Sequence, residues 1–523
     1  CHINNWFRNV RNGSHAPRCE RITCVPRDGN QVRAKVIGEG GNLGMTQLGR
    51  VEFALSGGSS YTDFIDNAGG VDCSDHEVNI KIMLNEIVAS GDMTMKQRNK
   101  LFMDMTDAVS TLVLSNNYRQ TQAIALAHRE CEERMDEYVS LIRDFEESGK
   151  LNRALEYLPD EETISERKLN GQGLTKPELS ILISYAKADL KERLNLEAIS
   201  QDTYLSTIVE TAFPQKLVDD YHGPVMNHKL RSEIVATQLA NDLVNYMGIT
   251  FVNRLTESTG ATVVEVARAY VAARDVFGLH ELWSHIEALD YQIPAHVQAD
   301  MMSRLMRLVR RASRWFLRNR RSDMDVAAEV KSFKASADSV RQNLAQWLKG
   351  STQKSWQKRF DGYREQNVPE DVSSLAAGAS SLFSALGIIE ASNETDLSVE
   401  RVAEAYFCVG ETLSLNWFLE QINNLEVKSN WQGLAREAFR DDMDWQLRSL
   451  TVSVLNTADS GEMGMVELMD KWKTAHPHLV SRWQRMLDEL RASDKAEYAM
   501  YSVALRELLD LAQASKHLSS DGS

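Results

Sequence analysis

The stretch Lys35-Val-Ile-Gly-Glu39-Gly-Gly-Asn42, followed by Asp63-Phe-Ile-Asp-Asn67-Ala-Gly-Gly-Val-Asp-Cys-Ser74, decides how this chain is read. Residues 31–37 and 60–66 predict two buried strands, each ending in a glycine-containing turn that presents an Asn or a Ser. Between them, residues 45–55 predict a short helix, and Ser56-Gly-Gly-Ser-Ser60 a loop. Strand, helix, strand is the unit of a parallel sheet. In open α/β sheets, ligands lie outside the carboxyl ends of the strands. Two strands do not make a stable sheet alone. The reading therefore expects the remaining strands before Cys1, on another chain, or missing from this sequence.

After Ser74 almost everything runs at helical spacing. Helices are expected at 76–90, 95–114 and 118–147, then near 228–247, 261–276, 294–320, 325–348, 370–386, 398–424, 431–456, 463–491 and 496–515. Thr175-Lys-Pro-Glu178 is a capping-box signature ahead of an apolar run from Leu179 to Leu190. Weak boundaries fall at 147–150, 353–369 and 392–396. The predicted fold class is mixed: a short α/β remnant of a Rossmann-type nucleotide-binding domain, followed by a mostly α-helical C-terminal region. The expected division is 1–30 unassigned, 31–150 the α/β remnant with its returning helices, 151–350 one helical domain and 351–523 another. Residues 1–30 are basic and aperiodic and read either as a disordered arm or as sequence extraneous to the protein.

Bulk properties narrow the function. A net charge of -15 argues against a general nucleic-acid binder. There is no run of about 18 apolar residues, so no transmembrane helix is predicted. The six cysteines form no Cys-x-x-Cys pair, which suits a reducing cytoplasm better than a disulfide framework. Cys19 and Cys24 have no supporting metal ligands nearby. A start at Cys1, without an initiator Met or an apolar leader, suggests a fragment.

Gly38-x-Gly40-x-x-x-Gly44 is a near miss for the dinucleotide fingerprint, since position 43 is Leu and the third glycine comes one residue late. Asp63 and Asp66 are candidates for the acid that fingerprint wants, at loose spacing; the alternative is a plain strand-to-helix turn. The second turn carries more. Two adjacent glycines in Asn67-Ala-Gly-Gly-Val71 let a flat ligand approach the backbone closely. Asn67 offers donors and an acceptor, as a carboxamide partner needs, and Ser74 is a neutral donor suited to a carboxylate. A tight turn whose Asn bonds its own backbone fits the same residues.

Glu39-Gly40-Gly41-Asn42, then Asn67-Ala68-Gly69-Gly70-Val71, then Ser74 three residues later, resembles the end of the catalytic region of glutamate dehydrogenases. The wording from Gly38 to Arg50 resembles the large NAD-specific bacterial type in particular. The resemblance covers about residues 31–90, and the long helical tail is consistent with that type. It implies roles one by one: Asn42 near the cofactor ribose, Asn67 at the nicotinamide carboxamide, Gly69 and Gly70 beneath the ring, and Ser74 at the side-chain carboxylate of glutamate. It implies NAD as cofactor, L-glutamate and 2-oxoglutarate as substrates, a homo-oligomer and a cytoplasmic enzyme. Gly41 replaces the Ala common in smaller relatives, and Asp75-His76 replaces an aromatic pair. The lysine that activates water and the acid that transfers protons are expected upstream. Lys35 and Lys81 have nothing to place them in that role. No catalytic residue is therefore assigned, and this chain alone is expected not to turn over glutamate.

Other features weigh less. Arg304, Arg307, Arg310, Arg311, Arg314, Arg318, Arg320 and Arg321 fall within one amphipathic helix. Such a helix suits an anionic partner, or an internal interface with the chain's own acids. His476-Pro-His478, His222 and His228 read as structural, and no metal site is expected. The competing reading of the whole is a helical scaffold whose glycine turns are only structural.

Overall fold

The structure is a computed structural model that describes residues 28–41, 44–197, 199–320, 324–427, 430–457, 463–493 and 497–517. Residue contacts divide the chain into two compact units, meeting in sequence at Arg268 and Ala269.

The first unit opens with the expected strand, helix, strand order. β1 (Val36–Ile37) and β2 (Ser59–Ser60) pair in parallel, Val36 opposite Ser59 and Ile37 opposite Ser60, joined through α1 (Gln47–Leu55). Thr46 caps α1 by accepting from the Gly49 amide at 3.2 Å. The strands are much shorter than predicted, because local chemistry ends each of them. Gln31, where the first strand was expected to begin, instead closes a 3-10 turn over residues 29–31, packed so closely on α1 that a Cβ on Gly29 would lie 2.4 Å from the Gly49 carbonyl oxygen. Residues 63–66 are a helical turn, α2 (Asp63–Asp66), where a strand was expected. The Asp63 carboxylate accepts from the Phe64 amide, and acids in a first helical turn complement the dipole.

The larger correction concerns Asn67 to Ser74. This is not a turn but the entry into a 22-residue helix, α3 (Ala68–Ala89), with Asn67 at its N-cap. Glycines are poor helix formers. Here Ile80, Met83, Leu84 and Ile87, buried at helical spacing further along, make the helix worth forming through Gly69 and Gly70.

α4 (Met95–Asp104), α5 (Thr106–Glu130) and α6 (Met135–Glu147) follow, with breaks at Met105 and 131–134 where continuous helices were predicted. α7 (Glu161–Leu169) was not foreseen. α8 (Lys176–Leu196) begins at the predicted capping box: the Thr175 amide and hydroxyl donate to Glu178 at 2.7 and 2.8 Å. Glu178, 1% exposed, also accepts a two-pronged pair from Arg167 at 2.8 and 3.0 Å. After α9 (Gln215–Asp220) and α10 (His222–Met226), α11 (Arg231–Met247) lies against α8 and α5, and α3 lies against α5. Leu182, Ile183, Leu239, Leu243 and Ile124 form the core of that layer. α12 (Phe251–Thr259) ends at Gly260, left-handed at φ +67°. α13 (Val263–Val276) runs across the division.

The described part of the second unit is helical: α14 (Leu279–Glu287), α15 (Ala295–Asn319), α16 (Val326–Trp347), α17 (Gly350–Glu365), α18 (Glu370–Leu382), α19 (Ser384–Thr395), α20 (Val399–Thr412), α21 (Leu415–Asn423), α22 (Asn430–Leu455), α23 (Met465–Ala475), α24 (Pro477–Ala492) and α25 (Tyr498–His517). Three predicted helices are each two, broken at Phe383, at Ser414 with φ +55°, and before Pro477. The supposed boundary at 353–369 is mostly α17. No single helix among the described residues is long and apolar enough to cross a membrane.

The arginine-rich helix is α15, and its charges meet acids of the same unit. Arg311 lies 3.1 Å from Asp444, Arg314 3.0 Å from Asp441 and 3.1 Å from Glu437, and Arg318 2.7 Å from Asp441. Arg320 pairs with Glu329 and Glu390, and Arg304 with Asp300. Arg321 falls outside the described residues. Of the two readings of this helix, the structure shows the internal interface.

Candidate functional site

Five helices of the first unit border an open cavity of about 760 Å³. α2 and α3 contribute Asp63, Phe64, Asn67, Gly69, Asp72 and Asp75; α5 contributes Asn116, Asn117 and Gln120; α8 contributes Ser184 and Lys187; α11 contributes Asn241 and Asn245. Residues 68, 72 and 75 share one face of α3, which is how a helix entry rather than a turn comes to form the wall.

The sequence-predicted residues divide on this geometry. Asn67 and Gly69 line the cavity. Gly70 follows on the same turn, where an added Cβ would meet the Asn67 carboxamide oxygen at 3.6 Å. Ser74 does not line it: its side chain sits about 120° around α3 from Ala68, exposed, and its hydroxyl donates to the Gly70 carbonyl at 3.2 Å. Asn42 falls outside the described residues. Lys35 is exposed, and Lys81 pairs with Glu77 at the surface.

The first glycine turn is held by a buried ionic network. The Glu39 amide donates to Asp66 at 2.8 Å, and the Arg50 guanidinium binds the Glu39 carboxylate and lies 3.2 Å from Asp63. Glu39 and Arg50 are each 6% exposed. Burial raises the pKa of Glu39 and of Asp66, with Arg50 pulling the other way. Asp63 and Asp66, the two candidates for the acid of the dinucleotide fingerprint, both belong to this staple between β1, α1 and α2.

His76 is buried, its Nδ1 2.9 Å from the Ala212 carbonyl, so it joins α3 to the 205–212 segment. His228 and His476 lie against main-chain carbonyls at 3.0 and 2.9 Å. Among the described residues, no group of three or more His, Cys, Asp or Glu side chains is placed to hold a metal ion.

The residue that sequence reasoning missed is Lys187. It stands half-buried at the cavity wall and donates to the Gln120 carboxamide oxygen at 2.7 Å. Loss of hydration pushes its pKa down to about 7, against the opposing pull of Asp72. Asp72 in turn accepts from Asn116 at 2.9 Å. The carboxamide oxygens of Asn117 and Asn245 are buried and accept no hydrogen bond. The available signal was Lys187 itself, a cation on the face of α8 beside Ile183, Ala186 and Leu190.

Comparisons with known proteins agree with this region. A family described as the catalytic domain of bacterial NAD-glutamate dehydrogenase matches residues 12–127, and one described as the C-terminal part of glutamate dehydrogenase matches residues 171–510. The chain is 56% identical over 490 residues to the NAD-specific glutamate dehydrogenase of Pseudomonas aeruginosa, covering 94% of this chain and 30% of that protein. It is 46% identical over 487 residues to that of Halomonas elongata and 37% identical over 487 residues to that of Mycobacterium tuberculosis, covering in each case 93% of this chain and 30% of the relative. It thus spans about 30% of the length of these curated relatives. With the C-terminal family matched over more than half of its residues, the chain belongs to the bacterial NAD-specific glutamate dehydrogenases and corresponds to a C-terminal part of them.

Proposed function

We propose that the full-length protein containing this chain oxidises L-glutamate to 2-oxoglutarate and ammonia with NAD, and that α2 and α3 supply part of its cofactor and substrate site. The observation that carries the reading is the polar cavity entered at Asn67 and Gly69 in a chain of this family. β1, α1 and β2 are then the closing piece of a Rossmann-type sheet. NAD, when bound, supplies the hydride acceptor.

The residues present suit that cofactor. The first turn of α3 carries no Cβ at 70, where a flat ring can approach its backbone, while at 69 a Cβ would meet the Val113 side chain at 3.3 Å; the Asn67 carboxamide can pair with another carboxamide. Asn42 is assigned to the ribose, Asn67 to the nicotinamide carboxamide, Gly69 and Gly70 to the ring, and Ser74 to the side-chain carboxylate of glutamate. For that role the Ser74 hydroxyl must leave the Gly70 carbonyl. No residue of this chain is assigned to water activation or proton transfer. The chain is inactive alone in this reading, and its helical tail serves oligomerisation or regulation of a cytoplasmic enzyme.

The test is steady-state glutamate-dependent NADH formation by the full-length protein, wild type against Ser74→Ala. Losing one hydrogen bond to a carboxylate costs about 1.5–3 kcal/mol, a roughly 10- to 150-fold fall in kcat/KM for glutamate, with KM for NAD little changed. An active wild type with an unaffected variant removes Ser74 from the substrate pocket. Absence of glutamate-dependent NADH formation overturns the activity.

A further inference from the structure

The two glycine segments that the proposed function sets against the cofactor, 38–41 and 67–70, are separated in sequence by α1, β2 and α2, and a buried set of side chains joins them. The first segment has almost no packing of its own. Gly38, Gly40 and Gly41 are exposed, and a Cβ added at any of them would meet nothing within 4 Å. Glu39 is the exception, at 6% exposed. Its main-chain amide donates to Asp66 at 2.8 Å, and its carboxylate accepts from Arg50 Nε at 3.0 Å and from Arg50 Nη2. Asp66 is the residue before Asn67, so the bond from the Glu39 amide ties the first segment to the start of the second. The Arg50 guanidinium also lies 3.2 Å from Asp63, at the other end of α2, and donates to Gln47 at 3.3 Å. All three of its nitrogens are therefore engaged, and through them α1 holds both segments.

This set is a poor source of stability. Three carboxylates, those of Glu39, Asp63 and Asp66, share one guanidinium. The second oxygen of the Glu39 carboxylate is buried and has no hydrogen-bond partner among the described residues. An apolar side chain at 39 would anchor the turn without that desolvation cost. What the charges supply is direction, since a charge-assisted pair and a main-chain hydrogen bond fix distance and angle more tightly than apolar contact does.

We propose that Arg50 and Asp66 are positioning residues for cofactor binding: acting through Glu39, they hold segment 38–41 at a set distance from Asn67 and Gly70 and so fix the width of the site that the dinucleotide occupies. The inference rests on the NAD reading above and deepens it. Neither residue touches the cofactor in this account. Their effect comes from placing groups that do, and misplacement of such groups weakens binding even where the fold survives.

The test is titration of NADH into the full-length protein, followed by nicotinamide fluorescence, with steady-state KM values and a thermal melt for each variant. Asp66→Ala removes the acceptor for the Glu39 amide. It is expected to weaken NADH binding roughly tenfold or more, with KM for glutamate at saturating NAD within about twofold of wild type. Asp66→Asn keeps an oxygen that accepts from the same amide and is expected to recover most of that affinity. Arg50→Lys keeps a charge and loses the fork, and is expected to weaken NADH binding severalfold; it carries the test if Asp66→Ala does not fold. Folded Asp66→Ala with wild-type NADH affinity overturns the proposal. So does Asp66→Asn as weak as Asp66→Ala, wild-type affinity in Arg50→Lys, or a rise in KM for glutamate equal to the loss of NADH affinity. Any of these in a protein whose wild type binds NADH defeats this inference alone. A wild-type protein that does not bind NADH defeats the cofactor reading and this inference with it.

Discussion

Single residues show where stability has been set against chemistry. Lys187 is the clearest case. Its pKa is about 7 in the folded chain, whereas an exposed lysine titrates near 10.4. Between those values the unfolded chain holds more protons than the folded one, so this residue makes stability rise with pH across that window. Below pH 7 the full cost of the half-buried charge is present. Lys187→Met is therefore expected to raise Tm most at pH 6, with the advantage shrinking as pH approaches 10. Thermal melts of both proteins at several pH values check this; a constant difference contradicts it. Glu178 shows the opposite arrangement. It is buried but fully engaged, by Arg167 and by the Thr175 cap, and it pins the start of the helix that carries Lys187.

At the scale of elements, the entry of α3 matters most. Gly69 and Gly70 occupy the first turn of a long helix, where alanine is the better residue by propensity. A Cβ at 70 meets little beyond the Asn67 oxygen at 3.6 Å. Gly70→Ala is thus expected to stabilise the protein by about 0.5–1 kcal/mol. If the ring of NAD rests there, the added methyl is an overpacking of about 1–3 kcal/mol, a roughly 5- to 150-fold rise in KM for NAD. Denaturation and steady-state kinetics on one variant separate the effects: a gain in stability with unchanged KM removes Gly70 from the cofactor site. The predicted strand and turn at 60–71 failed for a related reason. Val, Ile and Phe near a glycine pair read locally as a strand end, while burial of Ile80, Met83, Leu84 and Ile87 rewards a helix that starts earlier.

Across the whole chain, charge is organised by pairing between distant segments of each unit. Arg314, on α15, is buried with Asp441 and Glu437 of α22. Burial pushes the pKa of neighbouring Asp444 up to about 6 despite the pull of Arg311. Removing one member of such a buried set strands the others, so Arg314→Met is expected to destabilise the second unit by about 3–5 kcal/mol. Chemical denaturation measures this. Replacing Arg314, Glu437 and Asp441 together with apolar residues of similar volume is expected to recover most of the loss, because no charge is then left buried alone.

The helical character, the capping box at Thr175, the strand-helix-strand order and the family are legible in the sequence because each rests on neighbours along the chain: periodicity, caps and a contiguous motif. Asn67 and Gly69 stand out in the sequence as candidates for the same reason, and the structure places both on the cavity wall. Lys187, Asn117 and Asn245 do not stand out, since their place on one cavity wall depends on how α5, α8 and α11 pack, and α8 carries Lys176, Lys191 and Arg193 as well, with nothing local to distinguish Lys187. The arginine run looked like a surface for an anion until folding brought the acids of α22 against it. Composition and motif thus determined what kind of chain this is. Tertiary packing decided which polar groups are desolvated and which of those are paired, and that is a property of contacts between segments far apart in sequence.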